Sequence, residues 1–367
     1  MMDADTIVLP RLASTEVSVE DPWGEDHGNV ADPATDTRRW RVAAWLVPAL
    51  LMGALCLVRA GAPALSRDEP ATWGMVAPAL MRWWTEALGA SGLAARAPSM
   101  VAVTAAAAFI GVLAARLFAP RVGLLAGVIF ALLPTSTRYA QEVQPYALTV
   151  LAAVLATLFL VLAIDRPTFG RFAVYGASVL VLGLCHGPAL LLLAGHGWIV
   201  FAFRRGVAGR WLVVAFLGAL PAAAALVLLG EQPGAQIARG SAPSLDVLAA
   251  TPRELFGVTA LGVVLLVLAL FSLPLRRSAA IYTAWAVVPP LVLLLVAQAT
   301  PIWLPQFLLF TLPAWATLGA VALARARARW CAAVLVSIAL LGASVQVDPR
   351  VAHVDAPQGA HAGSAGE

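Results

Sequence analysis

A run of polar side chains stands immediately before an apolar segment in STRYAQEVQPYALTVLAAVLATLFLVLA, residues 136–163. A guanidinium such as that of Arg138 can grip a phosphate through its fork of N–H donors, and a carboxylate such as that of Glu142 can accept a proton from a hydroxyl group. These two residues are four apart, so they are expected to pair on a helix. Tyr139 and Tyr146 are seven apart and are expected to share one helical face. The run therefore predicts a transferase site where a phosphorylated lipid meets a hydroxyl acceptor.

The composition indicates whether this site belongs to a water-soluble protein or to a membrane protein. The chain has 367 residues, of which 61% are hydrophobic and 12% charged, and its mean hydropathy is +0.85. A water-soluble domain is about half apolar and about a quarter charged. The sequence therefore predicts an all-α polytopic membrane protein in the lipid bilayer. All 24 basic residues are arginines and the net charge is only +4, which gives no sign of a nucleic-acid partner.

Eleven apolar segments have about the length that crosses a bilayer. The residues before and after them, 1–37 and 348–367, are polar or rich in small residues, and we predict two disordered tails around a transmembrane domain at 38–347. The predicted spans are 42–59, 98–117, 121–137, 145–164, 172–186, 187–203, 211–230, 255–274, 279–298, 306–324 and 330–347.

The arginines predict the orientation of these spans. With a cytoplasmic N-terminus, fifteen arginines fall on the inner side and eight on the outer side, as the positive-inside rule requires. Most carboxylates beyond the first tail then fall outside. The predicted site is therefore extracytoplasmic, in a bacterial cytoplasmic membrane.

The first outer loop, residues 60–97, contains an acidic pair and several tryptophans. Trp73, Trp83 and Trp84 predict a short amphipathic helix that lies in the membrane interface, because tryptophan prefers the headgroup region. The pair Asp68 and Glu69 precedes it. Taken alone, an adjacent acidic pair is more often simple loop charge than a catalytic site.

Several motifs together carry a resemblance to a family. RYAQEVQPYAL resembles the R-Y-A-Q-E-x-R-P-Y-A-L motif of bacterial GT-C membrane glycosyltransferases, which are similar to protein O-mannosyltransferases and to the lipid A aminoarabinose transferase. LSRDEPATW resembles the acidic motif of their first outer loop, and ARAPS resembles the start of their second span. PIWLPQFLLFTLPAW resembles their late P-R-Y segment. His186 in LCHGPALLLLAGH stands where relatives often carry a histidine at an outer helix end.

The resemblance implies a GT-C-like bundle of about eleven transmembrane helices that moves a sugar, mannose or another hexose, from a polyprenyl-phosphate donor to a protein or glycan acceptor, with inversion. Asp68 is implied as the general base and Glu69 as its support, and this pair is also a candidate site for a divalent cation, although no sequence feature requires a cofactor. The implied substrate-binding residues are Arg138, Tyr139, Glu142, Gln144, Tyr146, His186 and Gln306.

Two departures from the family pattern keep other readings open. Gln144 and Gln306 stand where relatives carry arginines that neutralise the leaving phosphate, and the first outer loop is short. A degenerate, non-catalytic member that binds lipid or assists assembly is therefore one alternative. A transporter is another, for which His196 and Pro221 are the only hints in the sequence.

Overall fold

The regular elements of this computed structural model are helices. It describes residues 37–58, 84, 86, 92–142, 144–228, 242–272, 277–300 and 302–347. Backbone groups in a bilayer must find their hydrogen bonds within the chain, which favours helices throughout. In these ranges the α-helices are α1 (Thr37–Val58), α2 (Gly92–Leu117), α3 (Pro120–Leu132), α4 (Pro134–Gln141), α5 (Tyr146–Asp165), α6 (Phe169–Cys185), α7 (Leu192–Phe203), α8 (Ala208–Leu228), α9 (Leu245–Phe256), α10 (Thr259–Ser272), α11 (Arg277–Ala297), α12 (Leu312–Ala324) and α13 (Ala328–Val347), with short 3-10 helices at Gly187–Leu191, Arg205–Val207 and Pro305–Thr311.

Each of the eleven predicted spans coincides with a helix or a helix pair, and the all-α membrane fold is confirmed. By length and composition, six helices in the described ranges can cross a membrane, or up to eight if each of two bent pairs is one span. Three further apolar helices are shorter. The predicted number of eleven crossings is therefore not confirmed.

The predicted span 121–137 is not one continuous helix. It is broken at Leu133, and α3 and α4 meet there at an angle of 62°. Pro134 explains the break, because a proline disfavours helical geometry in the residue before it and cannot donate a hydrogen bond. Leu133 accordingly has an extended backbone, with φ −68° and ψ 127°. The motif RYAQE therefore lies on a short helix with its own direction.

The predicted span 255–274 also divides into two helices. α9 begins at Leu245 after its N-cap Ser244, ends at Phe256, and turns through 86° into α10. The turn is made by Gly257, whose φ of 84° lies in the left-handed region that glycine adopts without a steric penalty. The sequence prediction treated residues 255–274 as one apolar span and therefore missed this turn.

Two glycines, one in the α9–α10 turn and one in α13, lie against the break between α3 and α4. A Cβ atom added to Gly257 would lie 2.9 Å from Pro134 Cγ, and one added to Gly342 would lie 3.0 Å from the carbonyl oxygen of Leu132. A Cβ at residue 257 would require Pro134 to shift, and a Cβ at residue 342 would make an unusually tight contact. The α9–α10 turn and α13 therefore hold the break from two sides.

A buried row of hydrogen bonds, which we call the His196 network, joins α5, α6, α7 and α8. Trp211 Nε1 donates to the Tyr175 hydroxyl at 2.9 Å, and this hydroxyl lies 3.1 Å from His196 Nδ1. His196 Nε2 lies 3.1 Å from the Thr157 hydroxyl, which donates to the carbonyl oxygen of Ala153 at 2.9 Å. Since each hydroxyl has one proton, this order is satisfied by a neutral His196 that carries its proton on Nε2. The histidine is therefore a fully bonded part of the helix packing.

Several predicted segments lie outside the described residues. These are the tails, apart from Thr37 at the start of α1, and most of the first outer loop with the interfacial helix predicted in it. From that loop the structure places Trp84, whose indole Nε1 donates to the carbonyl oxygen of Ala94 at 2.7 Å. α2 begins at Gly92, earlier than the predicted span at 98.

Candidate functional site

The RYAQE motif occupies a helix end, a turn and the start of the next helix. Arg138 and Tyr139 lie on the last turn of α4, and Glu142 follows that helix with an extended backbone at φ −89° and ψ 140°. Gln144 lies in the turn, and Tyr146 begins α5. A chain reversal thus brings the two halves of the motif together.

The predicted pairing within the motif is present. Arg138 Nε lies 2.9 Å from Glu142 Oε1, and the guanidinium carbon lies 5.8 Å from the centre of the Tyr139 ring. The Arg138 side chain is 62% exposed and that of Glu142 is 21% exposed. An exposed ion pair contributes at most about 1 kcal/mol to stability. The pair therefore serves mainly to hold a charged group at the surface of the site.

An aromatic row, formed by Tyr139, Tyr146, His186 and Phe307, joins the motif to two distant segments. The ring centres of Tyr139 and Tyr146 are 5.1 Å apart, and those of Tyr146 and His186 are 5.4 Å apart. His186 continues to Phe307 at 5.2 Å. The two tyrosines therefore meet as predicted, although the reason given, one helical face, was wrong because they lie on different helices.

His186 stands at a junction between two helices. It is the C-terminal cap of α6 and precedes the 3-10 helix at Gly187–Leu191, as the predicted position at a helix end requires. The side chain is buried, and its Nε2 atom has no hydrogen-bond partner among the described residues. A buried ring nitrogen of this kind is suited to hold a polar group of a ligand.

The two glutamines at the family's arginine positions both adjoin the aromatic row. Gln144 is two residues before Tyr146, and Gln306 precedes Phe307 within the 3-10 helix at Pro305–Thr311. Both side chains are half-buried. The structure therefore brings all seven sequence-predicted binding residues to one region, joined through the aromatic row.

Three residues with buried polar atoms were not predicted as site residues: Thr135 and Ser136 precede the motif, and Gln141 lies within it. The hydroxyls of Thr135 and Ser136 and the amide nitrogen of Gln141 are buried, and none has a hydrogen-bond partner in the described part of the chain. Thr135 and Ser136 line a cavity beneath Tyr139 and Tyr146 that has room for about one water molecule. The sequence shows Thr135 and Ser136 just before the motif, but only the fold shows that their hydroxyls are buried.

α9 borders the region around the RYAQE motif on another side. This helix packs against α4 and against the 3-10 helix at Pro305–Thr311. Trp303 Nε1 donates to the Thr251 hydroxyl at 3.1 Å and ties the two segments together. The sequence did not predict this element, because it begins ten residues before the apolar run that was taken for a span.

The predicted catalytic pair, Asp68 and Glu69, lies outside the described residues, and so does the cation site predicted there. Within the described ranges no group of three or more His, Cys, Asp and Glu residues is placed to hold a metal ion. The catalytic assignment therefore stays a prediction.

Comparison with known proteins adds two findings. The family model of the dolichyl-phosphate-mannose-protein mannosyltransferases matches residues 68–228, which include the acidic pair and the RYAQE motif. No curated protein sequence matches the chain significantly.

Two solved structures are similar to the described bundle. The crystal structure of ArnT from Cupriavidus metallidurans bound to undecaprenyl phosphate superposes with a TM-score of 0.63 at 16% identity, over 85% of this chain and 66% of that one. ArnT is an aminoarabinose transferase of the GT-C type. The chain has a GT-C fold. The apo form of ArnT agrees, with a TM-score of 0.58 and 16% identity over 86% of this chain and 64% of that one.

The predicted resemblance and the GT-C fold are therefore confirmed. The chain spans just under two thirds of the length of ArnT. At 16% identity this likeness shows the fold alone.

Proposed function

We propose that the chain is an integral membrane glycosyltransferase that moves a sugar, mannose or another hexose, from a polyprenyl-phosphate donor to an acceptor hydroxyl. The acceptor is a protein or a glycan, and the reaction takes place on the extracytoplasmic face of a bacterial cytoplasmic membrane. The GT-C fold and the match to the mannosyltransferase family model support the reaction class.

The observation that carries this proposal is the aromatic row. It connects Tyr139 and Tyr146 to His186 and Phe307, which come from segments about 40 and 160 residues away in the chain. Packing alone does not require a buried histidine whose Nε2 has no partner among the described residues, joined through two tyrosines to an ion pair at the surface. Their combination at a helix end is typical of a binding site.

A lipid-linked donor is supported by chemistry and by a relative. ArnT was crystallised with undecaprenyl phosphate, and it shares the GT-C fold of this chain. Arg138 at the surface of the site offers a cation to a phosphate group, and the aromatic faces of Tyr139 and Tyr146 offer surfaces on which a sugar ring can stack. The distribution of arginines supports an outer location for this end of the bundle.

The proposed reaction is a single displacement at the anomeric carbon. The acceptor hydroxyl oxygen attacks this carbon while Asp68 accepts the hydroxyl proton, and Glu69 supports the base. The bond between the anomeric carbon and the phosphate oxygen breaks, and its electron pair leaves with the polyprenyl phosphate. Attack opposite to the leaving group inverts the anomeric configuration. Negative charge therefore develops on the phosphate, and any cation near it accelerates the step.

The two glutamines reduce this charge stabilisation. A hydrogen bond to a charged group contributes about 1.5–3 kcal/mol, so replacing two arginines removes up to about 3–6 kcal/mol of transition-state stabilisation. Such a loss corresponds to a rate lower by about 10²–10⁴. We therefore expect a slow enzyme whose reaction is sensitive to restored positive charge at Gln144 and Gln306.

The test is transfer of label from a polyprenyl-phosphate sugar by membranes that contain the full chain. The Gln144→Arg, Gln306→Arg double variant is expected to raise transfer at least tenfold, because each restored guanidinium stabilises the leaving phosphate. Gln298→Arg is the matched control, since this exposed glutamine lies beyond the end of α11 and outside the aromatic row. Adding Asp68→Asn to the double variant is expected to abolish the gain, because an amide cannot accept the proton.

The alternatives make different predictions in the same experiment. If the folded double variant transfers nothing and binds donor no better than the wild type, the chain is a non-catalytic GT-C protein. A gain that equals the gain from Gln298→Arg would mean that surface charge merely concentrates the lipid. For the transporter alternative, His196 gives no sign of a transport path, because both of its ring nitrogens are bonded within the helix packing.

A further inference from the structure

Arginines from two distant parts of the sequence meet around the turn between α12 and α13. Arg325 caps the end of α12, and Arg327 and Arg329 flank the first residue of α13. Arg121 joins them from the start of α3, where its guanidinium donates to the carbonyl oxygen of Ala326 at 3.5 Å. We call Arg121, Arg325, Arg327 and Arg329 the arginine cluster.

The arginine cluster lies at the opposite end of the bundle from the RYAQE motif. α3 begins at Pro120 beside the cluster and ends at Leu132, where the break leads into the motif helix. α12 runs the other way, from the 3-10 helix that holds Phe307 to its cap at Arg325. A helix of 13 residues, such as α3, is about 20 Å long, which is about two thirds of the apolar thickness of a bilayer. With the predicted orientation, the cluster faces the cytoplasm.

The described residues do not neutralise the charge of this cluster. Arg325, Arg327 and Arg329 are exposed, and none of them forms an ion pair with a described residue. Arg325 donates to the carbonyl oxygen of Phe271 at 3.4 Å, and the guanidinium carbon of Arg329 lies 5.6 Å from the centre of the Trp330 ring. These contacts orient the side chains but leave their positive charge in place.

Other arginines at the same end of the bundle are used within the chain. Arg116 pairs with Asp165 at 2.7 Å, and Arg171 donates to the carbonyl oxygen of Leu162 at 2.8 Å. Asp165 ends α5, the helix that starts from Tyr146 in the motif, so this pair lies at the end away from the motif. An excess of arginine on one side is general for membrane proteins. A group of exposed arginines without ion pairs to described residues distinguishes the α12–α13 turn.

Trp330 indicates which partner fits the cluster. Its side chain is 60% exposed, and it follows Arg329 directly on the first turn of α13. Tryptophan prefers the headgroup level of a bilayer, so this position places the cluster at the membrane surface. The anionic lipids of the cytoplasmic leaflet attract basic residues beside a span, and their phosphate oxygens fit the N–H donors of a guanidinium.

We propose that the arginine cluster binds the headgroup of an anionic membrane phospholipid. Arg325, Arg327 and Arg329 supply the charge and the N–H donors for the lipid phosphate, and Arg121 adds charge from the neighbouring helix end. The bound lipid ties the turn between α12 and α13 to the membrane surface. This inference is separate from the proposed reaction, because the candidate site lies at the other end of the same helices.

The experiment is native mass spectrometry of the full chain in detergent, titrated with phosphatidylglycerol, which gives the Kd of the first bound lipid. The triple variant Arg325→Gln, Arg327→Gln, Arg329→Gln is expected to raise this Kd at least about tenfold, since each arginine near an anionic lipid surface contributes a factor of about five. Phosphatidylcholine, which has no net charge, is expected to bind weakly and equally to the wild type and to this variant.

A second triple variant, Arg166→Gln, Arg171→Gln, Arg205→Gln, is the matched control. It removes the same charge from the same end of the bundle, but from side chains outside the cluster. Arg171 and Arg205 already donate to the carbonyl oxygens of Leu162 and Phe201. The control is expected to change the Kd by less than about twofold, because distant exposed charges are screened by salt.

Two results would show that the cluster is not a lipid site. Equal increases of the Kd in the two triple variants would mean that the summed charge of this end attracts the lipid. Equal binding of phosphatidylcholine and phosphatidylglycerol to the wild type would mean that the charge has no part in binding. Should the cluster variant fail to fold, Arg327→Glu decides, because this side chain is exposed and reverses its charge without disturbing the packing. An unchanged Kd in Arg327→Glu overturns the inference.

A further result would assign the cluster to another occupant. Residues 1–36 contain nine carboxylates, which are also complementary to arginines. A full chain with these nine changed to amides tests them, and the proposal expects its Kd to equal that of the wild type. If this chain binds phosphatidylglycerol much more tightly and the cluster variant abolishes the gain, the acidic segment occupies the cluster and the lipid does not.

Discussion

Tyr175→Phe removes one oxygen atom from the middle of the His196 network. This hydroxyl accepts the indole N–H of Trp211 and contacts His196 Nδ1. Its removal therefore breaks two bonds and leaves a donor and an acceptor unsatisfied in the interior of the bundle. The rest of the side chain keeps its shape, so no cavity larger than one oxygen is created.

The expected decrease in the free energy of unfolding follows from these two hydrogen bonds. Side-chain hydrogen bonds between membrane helices are worth about 0.6 kcal/mol on average and up to about 1.7 kcal/mol. Two lost bonds therefore cost about 1–3 kcal/mol, and we expect a value near 2 kcal/mol because both former partners stay buried. That corresponds to about a thirtyfold shift in the unfolding equilibrium.

The assay is equilibrium unfolding of the purified chain in a bilayer or in mixed micelles, with Tyr282→Phe as the control. Tyr282 is as deeply buried, and its hydroxyl lies near the Thr317 side chain but makes no hydrogen bond of 3.5 Å or less to any described residue. Its removal is expected to change the free energy of unfolding by less than about 0.5 kcal/mol. Equal effects of the two substitutions would refute the reasoning, because burial of a tyrosine, and not the network, would then determine the loss.

Three further predictions concern the turn, the orientation and the motif. Gly257→Ala is expected to cost about 1–2 kcal/mol, because a Cβ is disfavoured at a φ of 84°, whereas Gly206→Ala, which has open space, is expected to be neutral; thermal unfolding compares them. A cysteine introduced as Ala79→Cys is expected to react with an impermeant thiol reagent in intact cells, and labelling only after the inner face is opened would reverse the topology. Arg138→Ala is expected to weaken binding of the lipid phosphate more than Arg253→Ala does, and equal effects in a binding assay would point to general surface charge.

The sequence was sufficient for the features that depend on local pattern. Apolar length located the helices, and the four-residue interval predicted the contact of Arg138 with Glu142. The order of the motifs along the sequence was enough to name the residues of the candidate site. The bends at Leu133 and Gly257 also had local signals, a following proline and a glycine at a helix end, but hydropathy averaged over a window conceals them.

Other features depend on tertiary packing and could not be predicted from the sequence. The contact of His186 with Phe307 joins residues about 120 apart, which no periodicity relates. The burial of Arg96 was also hidden, since the same residue at a loop edge is usually solvated. The hydroxyls of Ser99 and Ser136, which have no partner among the described residues, are buried only because neighbouring helices exclude water from them.

The closure of the α3–α4 break by Gly257 and Gly342 has a consequence for biogenesis. The motif helix α4 is synthesised and inserted early, but the residues that fix its direction leave the ribosome more than 100 and about 200 residues later. Among the described residues, the contact of α13 with the break is therefore made only after α13 has been synthesised. A nascent chain that stalls before α13 would carry the whole RYAQE motif in the membrane without this contact.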